Sequence, residues 1–342
     1  MQVWAVMGGL SKLGAAAVAL LVLAGCASSG SGGAGVVRSP AASAGSTPAG
    51  PPTIAQMMSQ IPFEGADRPE VFFGDETQMI AVDGGTRSLG PFGDLILSTD
   101  SLVFADTAQL GIDLHTVTYG VEALVPGQQT ATMLWGKFAA STIEAKLARL
   151  GFKRHGEVWT YGSDFTMDAQ GPTNLSNSVV FDVTDDRLVY GSAVAPVEAL
   201  AAKPSTPLSS VAEQVALAQC LGSAQGGEIG VLPSGNPQQR VPAAMGVEAT
   251  STADETDEVC VAAPSEAAAE AMQSRWVQRI ETGTWTYQRT GWSEYFADPR
   301  ATLVSSAWHI VRLTVKPAAH SPIAAAFFAM YADDYAPSLI DE

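Results

Sequence analysis

The chain is poor in the residues that most often declare a function. Only 18 of its 342 residues are lysine or arginine, against 35 aspartates and glutamates, for a formal net charge of −17. That balance leaves no basic footprint of the kind nucleic-acid binding requires, so no nucleic-acid partner is expected. An anionic bilayer would also repel so acidic a body, and attachment to a membrane would need something other than net charge. The four histidines, His115, His155, His309 and His320, are scattered without HxxxH or HxH spacing. A zinc site has little to build on, and neither a metal nor a cofactor is assigned. His155 follows Lys153 and Arg154 just past an expected helix end, where positive charge suits the helix dipole. His309 falls on an apolar strand pattern and is expected in the core. After residue 26 there is no G-x-S-x-G elbow, no S-x-x-K and no Walker A sequence, which removes the usual nucleophile turn and phosphate cradle. Asp164 and Asp168 lie close together, but in so acidic a chain their proximity carries no catalytic assignment. The run ADETDE lacks the ligand spacing of a calcium loop and reads as a solvated acidic loop. Cysteine is scarcest of all, with three in the chain.

The first of those cysteines has a distinctive setting. Leu13 to Gly25 is an unbroken run of 13 apolar and small residues preceded by Lys12. The run is too short for the roughly 20 residues that span a bilayer, and it fits the apolar region of a secretory signal. It ends Leu23-Ala24-Gly25-Cys26, which resembles the lipobox of bacterial lipoproteins. The resemblance implies cleavage before Cys26 and diacylglycerol on its sulfur, with a palmitate-type acyl anchor. Each buried lipid CH₂ contributes about 0.8 kcal/mol, so two chains hold firmly where one would be marginal. Residues 1–25 are then the signal, and loss of Lys12 leaves a net charge of −18. Met7 opens the more compact signal, MGGLSKLGAAAVALLVLAGC, and is the expected start.

Residues 26–53 form the lipidated cysteine and a Gly/Ser/Pro-rich tether. The segment has no hydrophobic period and almost no charge, so it cannot bury enough apolar surface to offset ordering entropy. A random coil of this length spans roughly 30 Å. Thr47 and Thr53 are candidate O-glycosylation positions, the alternative being an unmodified spacer.

From Thr53 onward the patterns become regular. TIAQMMSQI reads as a short helix, Asp83-Gly84-Gly85 as a turn, and Gly93 to Gly111 as helix. TATMLWGKF alternates as a strand. STIEAKLARLG follows as a helix with Ser141 and Glu144 as a capping box and Gly151 as its stop. EVWTYGS and the hairpin SVVFDVTDDRLVYGS are strands, and VAPVEALAA and SVAEQVALAQCLG are helices. EIGVLPS, AMGVEATS and EVCVAA are further strands leading to the helix PSEAAAEAMQSRWVQRIETG, where Ala269, Met272, Trp276 and Ile280 share a face. SAWHIVRLTVKP is a long strand. Ser321 and Pro322 sit at the N-cap and N1 of a last helix, IAAAFFAMYADDY. A strand-helix pair thus recurs, which points to an α+β fold of mostly antiparallel sheets with helices on one face. The recurrence suggests two ferredoxin-like repeats, a first module over 54–210 and a second over 211–342.

In an exported protein the two remaining cysteines, Cys220 and Cys260, are the number expected for one disulfide. Closing a loop of this size would stabilise the fold by about 4 kcal/mol at the upper end of the chain-entropy model. The stretch WTYQRTGWSEYF supplies a candidate binding surface of Trp285, Tyr287, Arg289 and Trp292, the alternative being ordinary packing on the core.

Signal, tether and composition together resemble cell-envelope lipoproteins of actinobacteria, and the strand-helix pattern from Leu110 to Gly191 is similar to members of that group. The resemblance implies location on the outer face of the cell membrane and transfers no activity. The expected function is a non-enzymatic binding or interaction module whose partner is an envelope protein or a lipid. A lipid or glycolipid carrier with an apolar cavity is the first alternative, and an envelope hydrolase the second.

Overall fold

The computed structural model describes residues 53–63, 70–82, 109–124, 130–161, 180–233, 240–251, 254–285, 290–304 and 307–318. All of them fall within the unit Pro48–Glu342. The signal, Cys26, the tether, the Asp83-Gly84-Gly85 turn, most of the helix expected over 93–111, Asp164, Asp168, Tyr287, Arg289 and the helix expected from Ser321 lie outside the described residues.

In the first half, helix α1 (Ile54–Met58) leads to strand β1 (Glu70–Asp75) and helix α2 (Glu76–Val82). Strands β2 (Val117–Leu124) and β3 (Ala131–Gly136) complete a meander with β1. Helix α3 (Ala140–Arg149) follows, then the hairpin β4 (Lys153–His155) and β5 (Val158–Thr160). The hairpin β6 (Val180–Val183) and β7 (Arg187–Gly191) precedes helix α4 (Val194–Ala201). In the second half, helix α5 (Ala212–Cys220) leads to strands β8 (Gly226–Pro233), β9 (Arg240–Ser251) and β10 (Asp254–Ala262). Helix α6 (Glu266–Thr282), the small ribbon β11 (Thr284–Trp285) with β12 (Thr290–Gly291), and strands β13 (Phe296–Val304) and β14 (Ile310–Pro317) complete it.

Twelve strands form one antiparallel sheet in the order β13-β14-β10-β9-β8-β1-β2-β3-β7-β6-β5-β4. The α+β class holds. Each half runs from a helix through three successive antiparallel strands to a further helix, and then returns, by four strands in the first half and two in the second, so that its last strand lies beside the third. That arrangement replaces the expected ferredoxin-like repeat. The halves meet antiparallel at β1 and β8, where Val71 faces Ile229 and Gly74 faces Gly226. The helices α1 and α5 echo one another: Ile54, Met57, Met58 and Ile61 are buried at the same spacing as Gln214, Leu217, Ala218 and Leu221.

The helices cover both faces of the sheet, where the pattern had placed them on one. Alternate residues separate into two cores: Phe72, Leu134, Val259 and Val261 pack with α3 and α6, while Val71, Phe73, Met133, Cys260 and Ala262 pack with α1, α4 and α5. Strands β1, β6 and β10 are buried almost throughout, whereas β13 and β14 keep an in-out alternation. A strand buried on both sides reads as a short apolar run, which carries no information about its second face. Under α3 the rings of Tyr161, Phe152, Phe181 and Tyr190 follow one another at centroid distances of 5.2, 5.5 and 6.2 Å.

Helix α6 follows its pattern closely. Ser265 accepts a hydrogen bond from the Ala268 N–H at 3.2 Å, the buried stripe is Ala269, Met272, Trp276 and Ile280, and the chain leaves the helix at Gly283. Helix α3 departs from its pattern. It starts at Ala140, and no side chain of its own caps it. The Asp185 carboxylate accepts from the Ala140 N–H at 3.3 Å instead, and the Glu144 carboxylate is engaged by Trp159 and Arg154. His309 also departs: it is exposed, with φ of 47°, in the turn before β14. A backbone in the left-handed region ends the strand pattern before it can bury this side chain.

Trp276 is fully buried, and a large cavity would follow its truncation. Trp276→Ala should lower stability by about 3–5 kcal/mol in urea unfolding, whereas the exposed Leu303→Ser should cost about 0.5 kcal/mol or less.

Candidate functional site

The sequence pointed to three groups of residues. The first, Cys26, lies outside the described residues. The second is brought together: Cys220 at the end of α5 and Cys260 on β10 form a disulfide with Cα atoms 6.2 Å apart, both buried in the core shared with α1 and α4. Of the third, the aromatic stretch, Tyr287 and Arg289 lie outside the described residues. Trp292 is 3% exposed and stacks on Phe296 at 5.8 Å, so its indole belongs to the core and offers no face to a partner. Glycine and threonine of this stretch pair as the β11–β12 ribbon, Thr284 with Gly291 and Trp285 with Thr290.

Two further features emerge, one that the sequence reading did not single out and one that it noted only as charge past a helix end. One lies where the halves join. Nine carboxylates are buried among the described residues, Asp75, Glu76, Glu122, Asp182, Glu213, Glu228, Glu255, Asp257 and Glu258, while no lysine or arginine is. Two of them share a row across the β8-β1-β2-β3 centre of the sheet, where Phe72 faces Glu228 on one side and Glu122 on the other. The Thr132 hydroxyl donates to Glu122 at 3.3 Å. Burial pushes the Glu228 carboxyl well above the ordinary range, and the neighbouring Glu70 adds to the rise by hydrogen bonding to it and by its charge.

A polar network ties the same seam together. The Asp75 carboxylate caps α2 by accepting from the Gln78 backbone at 2.9 Å and from its side chain at 2.8 Å. Gln225, from the second half, donates to Gln78 at 3.1 Å and to the Ala249 carbonyl at 2.7 Å. It also accepts from the Ala249 N–H at 3.1 Å. The signal available in the sequence was Glu228 itself, an acid inside the Gly-rich apolar strand GGEIGVLP.

The other feature is the β4 edge. Lys153, Arg154 and His155 are all exposed on this terminal strand, and Arg149 is exposed in the last turn of α3. Arg154 is held in place. It pairs with Glu144 at 3.2 Å, donates to the Gly156 carbonyl at 3.2 Å, and lies 6.0 Å from the Trp159 ring centre. Trp159 in turn donates to Glu144 at 3.3 Å. The edge turns on Gly156, whose φ of 64° suits the two-residue connection of β4 to β5.

No cluster of histidine, cysteine and carboxylate side chains that could hold a metal ion occurs among the described residues. Among the same residues no helix is long and apolar enough to cross a membrane. No protein-family model, curated protein or solved structure matches the chain.

Two measurements follow from this geometry. Burial is the leading cause of raised carboxyl pKa values at Asp75, Asp182, Glu228 and Glu258. A carboxyl raised in the folded state stabilises the fold fully below its unfolded value and loses that contribution as pH rises through the raised one. The urea midpoint should therefore climb as pH falls from 8 towards 5, and Glu228→Gln should flatten that climb while retaining the fold. Trp292→Ala should cost about 3–5 kcal/mol in the same assay, as expected of a core ring and not of a contact surface.

Proposed function

We propose that the chain is a lipid-anchored protein of the extracytoplasmic face of the cell membrane, and that its folded body is a non-enzymatic binding module of the envelope. The observation that carries the reading is the disposition of the three cysteines. Cys220 and Cys260 are joined to each other, which leaves Cys26, at the end of an apolar run and ahead of small polar residues, as the sulfur outside the disulfide. A structural disulfide suits an oxidising compartment, and a thiol at that place in a signal suits acylation.

The proposal is tested by fractionating cells that express the chain or its Cys26→Ala form. The parent should sediment with membranes and be released by detergent but not by salt, and the variant should appear in the culture medium. Equal partitioning of the two forms would overturn the anchor.

A further inference from the structure

We infer that the β4 edge is a docking surface for the anionic lipid headgroups of the membrane on which the chain is anchored, and that it orients the body edge-on. The inference deepens the proposed function and rests on it for location. Its basis is an asymmetry of charge. Five of the 18 lysines and arginines, Lys137, Lys146, Arg149, Lys153 and Arg154, fall within residues 137–160, with Glu144 and Glu157 as the acids there. This segment carries +3, and the rest of the chain −20. Asp164 and Asp168, which follow, lie outside the described residues.

The fold places this segment at one extreme of the sheet. β4 is the last strand of the order and β13 the first, and at the usual strand spacing they stand roughly 50 Å apart along the sheet. Screening confines a surface potential to about 8 Å at physiological salt. A membrane facing the β4 edge therefore senses that edge and little of the acidic remainder. Lys153, Arg154 and His155 occupy successive positions of one exposed strand. Their side chains alternate between the two faces, so the charge wraps the edge, as suits an edge-on approach to a flat surface. Arg154 is pre-organised by Glu144, Gly156 and Trp159, whereas no partner for Lys153 or His155 is found among the described residues. Arg149, Lys153 and Arg154, set against the exposed Glu157 of the hairpin tip and against Glu144, which pairs with Arg154, amount to about one net charge. At about 1 kcal/mol per charge near an anionic leaflet, that biases orientation by about fivefold. This is too weak to recruit a free acidic protein, and it is enough to orient a tethered one.

The test couples the chain through the Cys26 sulfur to a maleimide lipid, in vesicles of phosphatidylcholine with or without phosphatidylglycerol. Surface lysines are briefly acetylated and read by peptide mass spectrometry. Chemical coupling separates this inference from the anchor, because the vesicle result stands whether or not cells acylate Cys26. Acetylation of Lys153 should fall about fivefold relative to Lys203 and Lys316 in the anionic vesicles alone. The protection should vanish in high salt and weaken in the Arg149→Gln form, whose substitution lies on the exposed side of α3. Equal labelling of Lys153 in both vesicles would overturn the inference, as would equal protection in both. Protection by soluble polyphosphate with none from anionic vesicles would also overturn it.

Discussion

Four backbone pairs between β1 and β8 hold the two halves of the protein in one sheet. Each half is a similar unit, and the edge strand of one is the neighbour of the edge strand of the other. Everything near this line is shaped by close approach. Gly246 has no room for a side chain, since a Cβ there would stand 2.6 Å from the Ala224 Cβ. The Gln225 side chain reaches from the second half to Gln78 of the first. The acids follow from the same constraint: at the middle of a sheet covered on both faces, Glu122 and Glu228 have nowhere to reach water. Burial raises the Glu228 carboxyl pKa well above the ordinary range, and Glu70 adds to the rise. Burying acids without a buried cation adds to the self-repulsion of a body with net charge −17. The fold tolerates this by spreading ion pairs towards its rim, as where Arg312 meets Glu258 and Lys316 meets Asp254 at 3.2 Å.

How much of this was readable beforehand depended on whether the deciding contact was local. Helix α6 was readable from Ser265 to Gly283 because its cap, its stripe and its stop all lie within the segment. Thr53 and Gln56 do form a capping box at α1, whereas Ser141 and Glu144 do not at α3. There Asp185, forty-five residues away, supplies the cap, and Trp159 and Arg154 claim Glu144. No local pattern announces such partners. His309 looked like a strand residue by alternation, and its left-handed backbone puts it outside the strand. Two-face burial was invisible in VFDV or EVCVAA because period-two alternation disappears when both sides are covered.

The candidate sites divide the same way. The Cys220–Cys260 pair needed only a count and a compartment, and the fold brings the two sulfurs together. The aromatic stretch was ambiguous because surface and core rings look alike in sequence, and the fold buries Trp292. The β4 edge was read only as charge past a helix end. Lys153-Arg154-His155 does follow α3, but a turn intervenes and the three residues become the outermost strand of the sheet. Only the strand order shows that the chain's densest positive charge stands at its margin.

The account has one chemical centre, the sulfur of Cys26, and the most direct measurement is the intact mass of the protein extracted from membranes. The account predicts a chain beginning at Cys26 that carries a diacylglyceryl adduct, and no free thiol after alkylation because Cys220 and Cys260 are joined. A mass matching an unmodified chain, or one whose three sulfurs all alkylate without reduction, would contradict it.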